Sequence, residues 1–124
     1  MSQVYVLQHA YAETLGTIEP ALVAAGLKPR YIQSFAGQSV PLAMEDASGL
    51  IVLGGPMSVS ESYRFRFLKN EMYLIEDALA AQRPVLGICL GSQLLATVLG
   101  SDVRRGEAKE IGRASCRERV LTDV

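Results

Sequence analysis

Residues 84–100 read PVLGICLGSQLLATVLG, and the junction inside that run constrains the fold more than any other feature. Pro84 to Ile88 is a short apolar block of the kind that forms a strand buried on both faces. SQLLATVLG, from Ser92, reads as a short helix that stops at Gly100. Only a sharp turn joins a strand to a helix over so few residues. Cys89 occupies that turn, with Gly87 and Gly91 two positions to either side. A side chain in so tight a turn is forced into a strained backbone conformation. Flanking side chains would collide there, so the two glycines are the residues that make room.

The rest of the chain alternates in the same way. VYVLQH, Val4 to His9, is short and rich in β-formers. TIEPALVAAG reads as a helix with Thr17 as its cap, Pro20 in its first turn and Gly26 at its stop. RYIQSF, Arg30 to Phe35, reads as a second strand. GLIVLGG, Gly49 to Gly55, reads as a third, buried on both faces. Arg64 to Gln82 reads as one long helix with Phe65, Leu68, Met72, Ile75 and Leu79 as its apolar stripe. DVRRG, from Asp102, begins a fifth strand. The alternation predicts an α/β fold, a flavodoxin-like parallel sheet with helices on both faces. The first strand should lie beside the third, and the third beside the fourth. Ligands bind such sheets at the carboxyl ends of the strands. His9, the Gly54–Gly55 pair and Cys89 all fall at such ends.

With 124 residues, 49% of them hydrophobic, the chain suffices for one domain and its core. A net charge of -1 without a basic stripe argues against nucleic acid and acidic membranes as partners. No apolar run approaches a membrane span, and MSQVYVLQHA lacks the basic start and long apolar stretch of a signal peptide. Cys89 and Cys116 make no disulfide framework. A cytoplasmic protein is the expectation, and nothing in the sequence calls for a metal or a cofactor.

The chemistry is expected at Cys89. A strand–turn–helix junction flanked by glycines is the geometry of a nucleophile elbow, here with cysteine in place of serine. The elbow also sets the sulfur at a helix N-terminus, where free amides and the helix dipole favour the thiolate. GGPMS, Gly54 to Ser58, ends a buried strand on a glycine pair. Backbone N–H groups in such a loop point at a developing oxyanion, cradle a phosphate or simply turn the chain.

VLGGPMSV followed further on by PVLGICLGSQLLA resembles the class I glutamine amidotransferase family, and within it the stand-alone, GMP-synthase-like members. AKEIG, Ala108 to Gly112, resembles a segment of those members too. The resemblance runs from about Val4 to Gly112. It implies that Cys89 attacks the side-chain amide of glutamine, forming a γ-glutamyl thioester and freeing ammonia. It implies that the backbone N–H groups of Gly55 and Leu90 form the oxyanion hole. Gly54, Pro56, Met57, Gly91 and Gln93 would surround the substrate, with Gln93 helping to hold it. The partners implied are glutamine or a γ-glutamyl substrate and a separate synthase that accepts the ammonia. Three alternatives stand beside this. One is a γ-glutamyl peptidase of the same family. Another is a cysteine-elbow protein of the same broad fold with a differently placed acidic partner, against which GGPMS argues. The third is a non-enzymatic flavodoxin-like binder using GGPMS for phosphate. Against it, QHAYAETLG offers only Thr14 where a Ser/Thr-rich phosphate loop belongs.

The family completes its triad with a histidine and a glutamate far downstream of the cysteine. The one histidine here is His9. In the expected strand order it lies two strands from Cys89, roughly 10 Å at the usual spacing and too far for direct proton transfer. His9 is therefore expected at the rim of the site or in a structural role. After AKEIG the family pattern gives way to RASCRER. Ile111 to Val120, IGRASCRERV, match at every position one reading frame of a common short-read sequencing adapter. Residues 1–112 are thus expected to be the N-terminal part of an amidotransferase-like domain, and residues 113–124 a non-native tail. Without the tail, Cys89 is the only thiol. A chain cut before its base and acid is expected to be inactive.

Overall fold

A strand that is apolar on both faces needs a packed layer on each side. The computed structural model of the chain describes residues 2–100 and, as backbone, residues 120–123. Strands β1 (Ser2–Leu7), β2 (Leu27–Ile32), β3 (Gly49–Val52), β4 (Val85–Ile88) and β5 (Val120–Asp123) form one parallel sheet in the order β2-β1-β3-β4-β5. Helix α1 (Ile18–Ala24) covers one face, and α2 (Arg66–Ala80) and α3 (Leu90–Val98) the other. Successive strand residues part between the two layers. Tyr5, Leu7, Leu50 and Val52 pack with Leu74, Ile75, Leu94 and Leu95, while Val4, Val6 and Ile51 pack with Ile18 and Leu22. The flavodoxin-like order expected from the alternation is the observed one, with β3 between β1 and β4.

Boundaries differ from the pattern where local turns take over. β1 ends at Leu7, two residues before His9. β2 is Leu27–Ile32 rather than Arg30–Phe35, because Ser34–Ala36 winds into a 3-10 turn that closes on Gly37 at φ 99°. Thr17 stands at the N-cap of α1, yet its side chain makes no capping hydrogen bond. α3 begins at Leu90, so the elbow helix starts directly after Cys89 rather than at Ser92. In α2, Leu68 and Ile75 of the expected stripe are buried, whereas Phe65, Met72 and Leu79 pack at its margins. The centre of the buried face also takes in Glu71, Leu74 and Ala78. DVRRG, AKEIG and RASCRER lie outside the described residues. The strand that pairs with β4 is Val120–Asp123, inside the segment read above as a tail. Among the described residues, no helix is long and apolar enough to cross a membrane.

Register brings the carboxyl ends of three strands level. Leu7 stands opposite Val52, and Val52 opposite Gly87. The segments leaving β1, β3 and β4 therefore emerge side by side on one edge.

The phase of α2 is testable through two residues one position apart. Leu74 is fully buried and Tyr73 is 63% exposed. Leu74→Ala should destabilise the fold by roughly 2–5 kcal/mol, while Tyr73→Ala should stay within about 0.5 kcal/mol of the parent in urea unfolding. Equal effects would mean that α2 is rotated from the phase described.

Candidate active site

The turn after β4 is as strained as its sequence demands. Cys89 has φ 53° and ψ −110°, one of three non-glycine residues with positive φ among those described. A β-carbon makes that region costly, about 1–3 kcal/mol, unless surrounding structure enforces it. The enforcement comes from backbone packing on both sides. A β-carbon at Gly87 would lie 2.7 Å from the Gly91 carbonyl oxygen, and one at Gly91 would lie 1.9 Å from the Val52 carbonyl oxygen. Neither contact leaves room for any other residue. The expectation that these two glycines make room is met in detail, and each does so against main chain.

The thiol is presented rather than buried. Cys89 is exposed, while Leu90, Gly91 and Ser92 behind it are buried. The first backbone hydrogen bond of α3 runs from the Gln93 N–H to the Cys89 carbonyl at 3.1 Å. The N–H groups of Leu90, Gly91 and Ser92 therefore have no partner within the helix. They lie at the positive end of its dipole, beside the sulfur.

The loop leaving β3 runs alongside. A β-carbon at Gly54 would lie 3.2 Å from Cys89 Cβ and 3.9 Å from its Sγ. At Gly55 it would lie 2.5 Å from His9 Cβ and 3.1 Å from Met57 Sδ. The glycine pair thus passes between the cysteine and the histidine, touching one with each residue. Among the described residues, the Gly55 N–H donates no hydrogen bond. Of the expected oxyanion-hole and substrate-binding residues, Gly54, Gly55, Leu90 and Gly91 are gathered at the elbow. Pro56 is exposed, and Met57 turns its side chain into the core. Gln93 Oε1 accepts from the Val59 N–H at 3.3 Å, which ties the elbow helix to the far end of the loop.

His9 faces away from solvent. It is 1% exposed, and its Nε2 donates to Glu71 Oε1 at 2.6 Å, since a carboxylate can only accept. Ser34 Oγ donates to the other oxygen of Glu71 at 2.7 Å. Phe67, one turn before Glu71 on α2, stacks on the imidazole with ring centroids 6.4 Å apart. His9 Nδ1 is buried with no protein partner among the described residues, an arrangement that costs about 1–3 kcal/mol. The pairing commits His9 to Glu71 and fits the structural role expected of it. Glu71 and Ser34 were not anticipated. A signal was present, because Glu71 stands three residues after Leu68 and four before Ile75, on the apolar stripe itself. Among the described residues, no His, Cys, Asp and Glu side chains gather as a metal site.

Residues 7–121 match the family described as glutamine amidotransferase class-I. The chain is 33% identical over 113 residues to the glutamine amidotransferase-like protein YfeJ of Salmonella typhimurium, covering 89% of this chain and 47% of that protein. Over 69 residues it is 42% identical to the glutamine-hydrolyzing GMP synthase of Symbiobacterium thermophilum, covering 56% of this chain and 12% of that one. The crystal structure of a glutamine amidotransferase from Thermotoga maritima matches with a TM-score of 0.73 and 37% identity, over 80% of this chain and 43% of that one. The chain spans less than half the length of these relatives.

Strain and packing at the elbow make opposite predictions for neighbouring residues. Cys89→Gly should raise stability by about 1 kcal/mol, because glycine adopts the backbone conformation without strain. Gly91→Ala should lower it by roughly 3 kcal/mol or more, because the obstacle is a strand carbonyl rather than a side chain. Chemical unfolding of both variants checks this. A Cys89→Gly variant less stable than its parent would show that the turn is not strained.

Proposed function

The chain belongs to the class I glutamine amidotransferase family, and we propose that its Cys89 is the nucleophile that opens the side-chain amide of glutamine. The Sγ thiolate attacks the amide carbon, and the carbonyl oxygen takes up the negative charge. The N–H groups of Leu90 and Gly55 then donate to that oxyanion. When the C–N bond breaks, nitrogen leaves as ammonia with a proton from a general acid, and the γ-glutamyl group stays on sulfur as a thioester. Water cleaves the thioester, returning glutamate and the free thiol. Gly54 and Gly91 keep the sulfur and its surroundings free of side chains, and Gln93 holds the loop that borders the substrate. The ammonia passes to a separate synthase.

One observation carries this assignment: an exposed cysteine held at φ 53° on the first turn of a helix, with a glycine loop against it. A buried cysteine serving only to fill space has no need of strain or exposure. The proton steps need a group other than His9, whose Nε2 is bonded to buried Glu71. Residues 1–112 are read as the N-terminal part of the domain, in keeping with a chain that spans less than half the length of its relatives. With His9 committed to Glu71, glutamine turnover should be slow.

A glutamine analogue with an electrophile at the end of its side chain should add once to the folded chain, at Cys89, and free glutamine should slow the addition. Cys89→Ser should take up none. Peptide mass spectrometry locates the adduct. Addition at Cys116 instead, or none in a folded sample, would overturn the assignment. Steady release of ammonia by this chain would return His9 to consideration as the base.

A further inference from the structure

The cluster of His9, Glu71 and Ser34 is 1%, 0% and 6% exposed, and the chemistry described above gives it no task. A buried histidine–carboxylate pair is weak as a source of stability, because desolvation offsets most of its attraction. The Nδ1 of His9, without a partner among the described residues, weakens it further. What the cluster does have is position. It joins the residues after β1 (His9), the turn after β2 (Ser34) and helix α2 (Glu71) directly beneath the loop after β3. The α-carbon of Gly55 rests on His9, and the neighbouring Gly54 rests on Cys89. We infer that His9 and Glu71 are positioning residues: the imidazole, clamped by the Glu71 carboxylate and by Phe67, sets the height and angle at which the Gly54–Gly55 backbone meets the thiol. This rests on the amidotransferase assignment, in which the Gly55 N–H must meet an oxyanion.

Hydrogen bonds are directional in a way that apolar packing is not. An apolar pair in place of His9 and Glu71 would fill the same space and leave the tilt of the loop unspecified. The closeness of His9 also explains why Gly55 is glycine. A β-carbon there would strike His9 Cβ at 2.5 Å, so the loop lies on the imidazole-bearing residue with nothing between.

The test separates position from stability. The double variant His9→Phe/Glu71→Met replaces the polar pair with apolar side chains of similar size, and its melting temperature should equal or exceed that of the parent. Two reagents then read the site. Iodoacetamide, whose displacement reaction needs no oxyanion donors, should alkylate Cys89 at a rate within about threefold of the parent. The glutamine analogue with a terminal electrophilic carbonyl should react roughly tenfold to a hundredfold more slowly, as misplaced catalytic groups do. Glu71→Gln keeps the shape and an oxygen acceptor for His9, so it should restore the analogue rate to near that of the parent, and it serves where the double variant does not fold. Amide hydrogen exchange across Gly54–Met57 is the reading independent of chemistry, and it should quicken in the double variant or in Glu71→Met. Unchanged exchange there, or an unchanged ratio of the two labelling rates in a folded variant, overturns the inference. A parent that takes iodoacetamide but never the analogue overturns the amidotransferase assignment instead, and the exchange data then decide the positioning role alone.

Discussion

At the end of β3, the carbonyl of Val52 and the α-carbon of Gly91 approach so closely that a methyl group between them would lie 1.9 Å from the oxygen. Every other part of the candidate site depends on that approach. It lets α3 begin with only Cys89 between it and β4, and sets its first turn against the sheet. It leaves Cys89 nowhere to go except φ 53°, with its side chain outward. Gly87 meets the same helix turn from the opposite side, through the carbonyl of Gly91. Because both contacts are with main chain, no side-chain rearrangement relieves them. The strain at Cys89 is therefore held by the register of β3 and β4, and through it by the sheet as a whole.

The sheet itself is held by ordinary burial. Leu74, Ile75, Leu94 and Leu95 are fully buried against Tyr5, Leu7 and Leu50, and the α1 layer closes part of the other face. Such packing has little directional content, and it holds α2 and α3 against the sheet without deciding how each loop tilts above it. The polar cluster adds direction. α2 carries both kinds of contact on one face, since Leu68, Leu74, Ile75 and Ala78 enter the core while Glu71 reaches His9 and Ser34. The helix that seals one layer of the core also braces the glycine loop, so core and site are not separate structures here.

Much of this was legible in the chain. The alternation of short β-rich blocks with helical ones implied the parallel sheet and placed β3 between β1 and β4. The glycines two positions either side of Cys89 implied the elbow, down to which residue is strained. Strand ends were less legible. Ile32 and Gln33 continue the pattern of β2, but the chain bends at Ser34 because Gly37 allows a left-handed turn that periodicity does not register. His9 was expected in a structural role from the spacing of strands, and its buried bond to Glu71 agrees with that. Its partner was not found, because a search for apolar periodicity passes over a glutamate on the apolar stripe.

The sequence by itself determined the order in which strands and helices follow one another, where glycine is required, and that a cysteine stands at the sharpest turn. These are decided by residues within a few positions of one another, because dihedral strain and the lack of a β-carbon act locally. Tertiary structure alone decided which polar groups meet. Glu71 lies 62 residues from His9 and 37 from Ser34 along the chain. A buried carboxylate takes whichever donors the packing of helix on sheet brings within reach. That choice is made by the assembled layers and is written in no short stretch of residues.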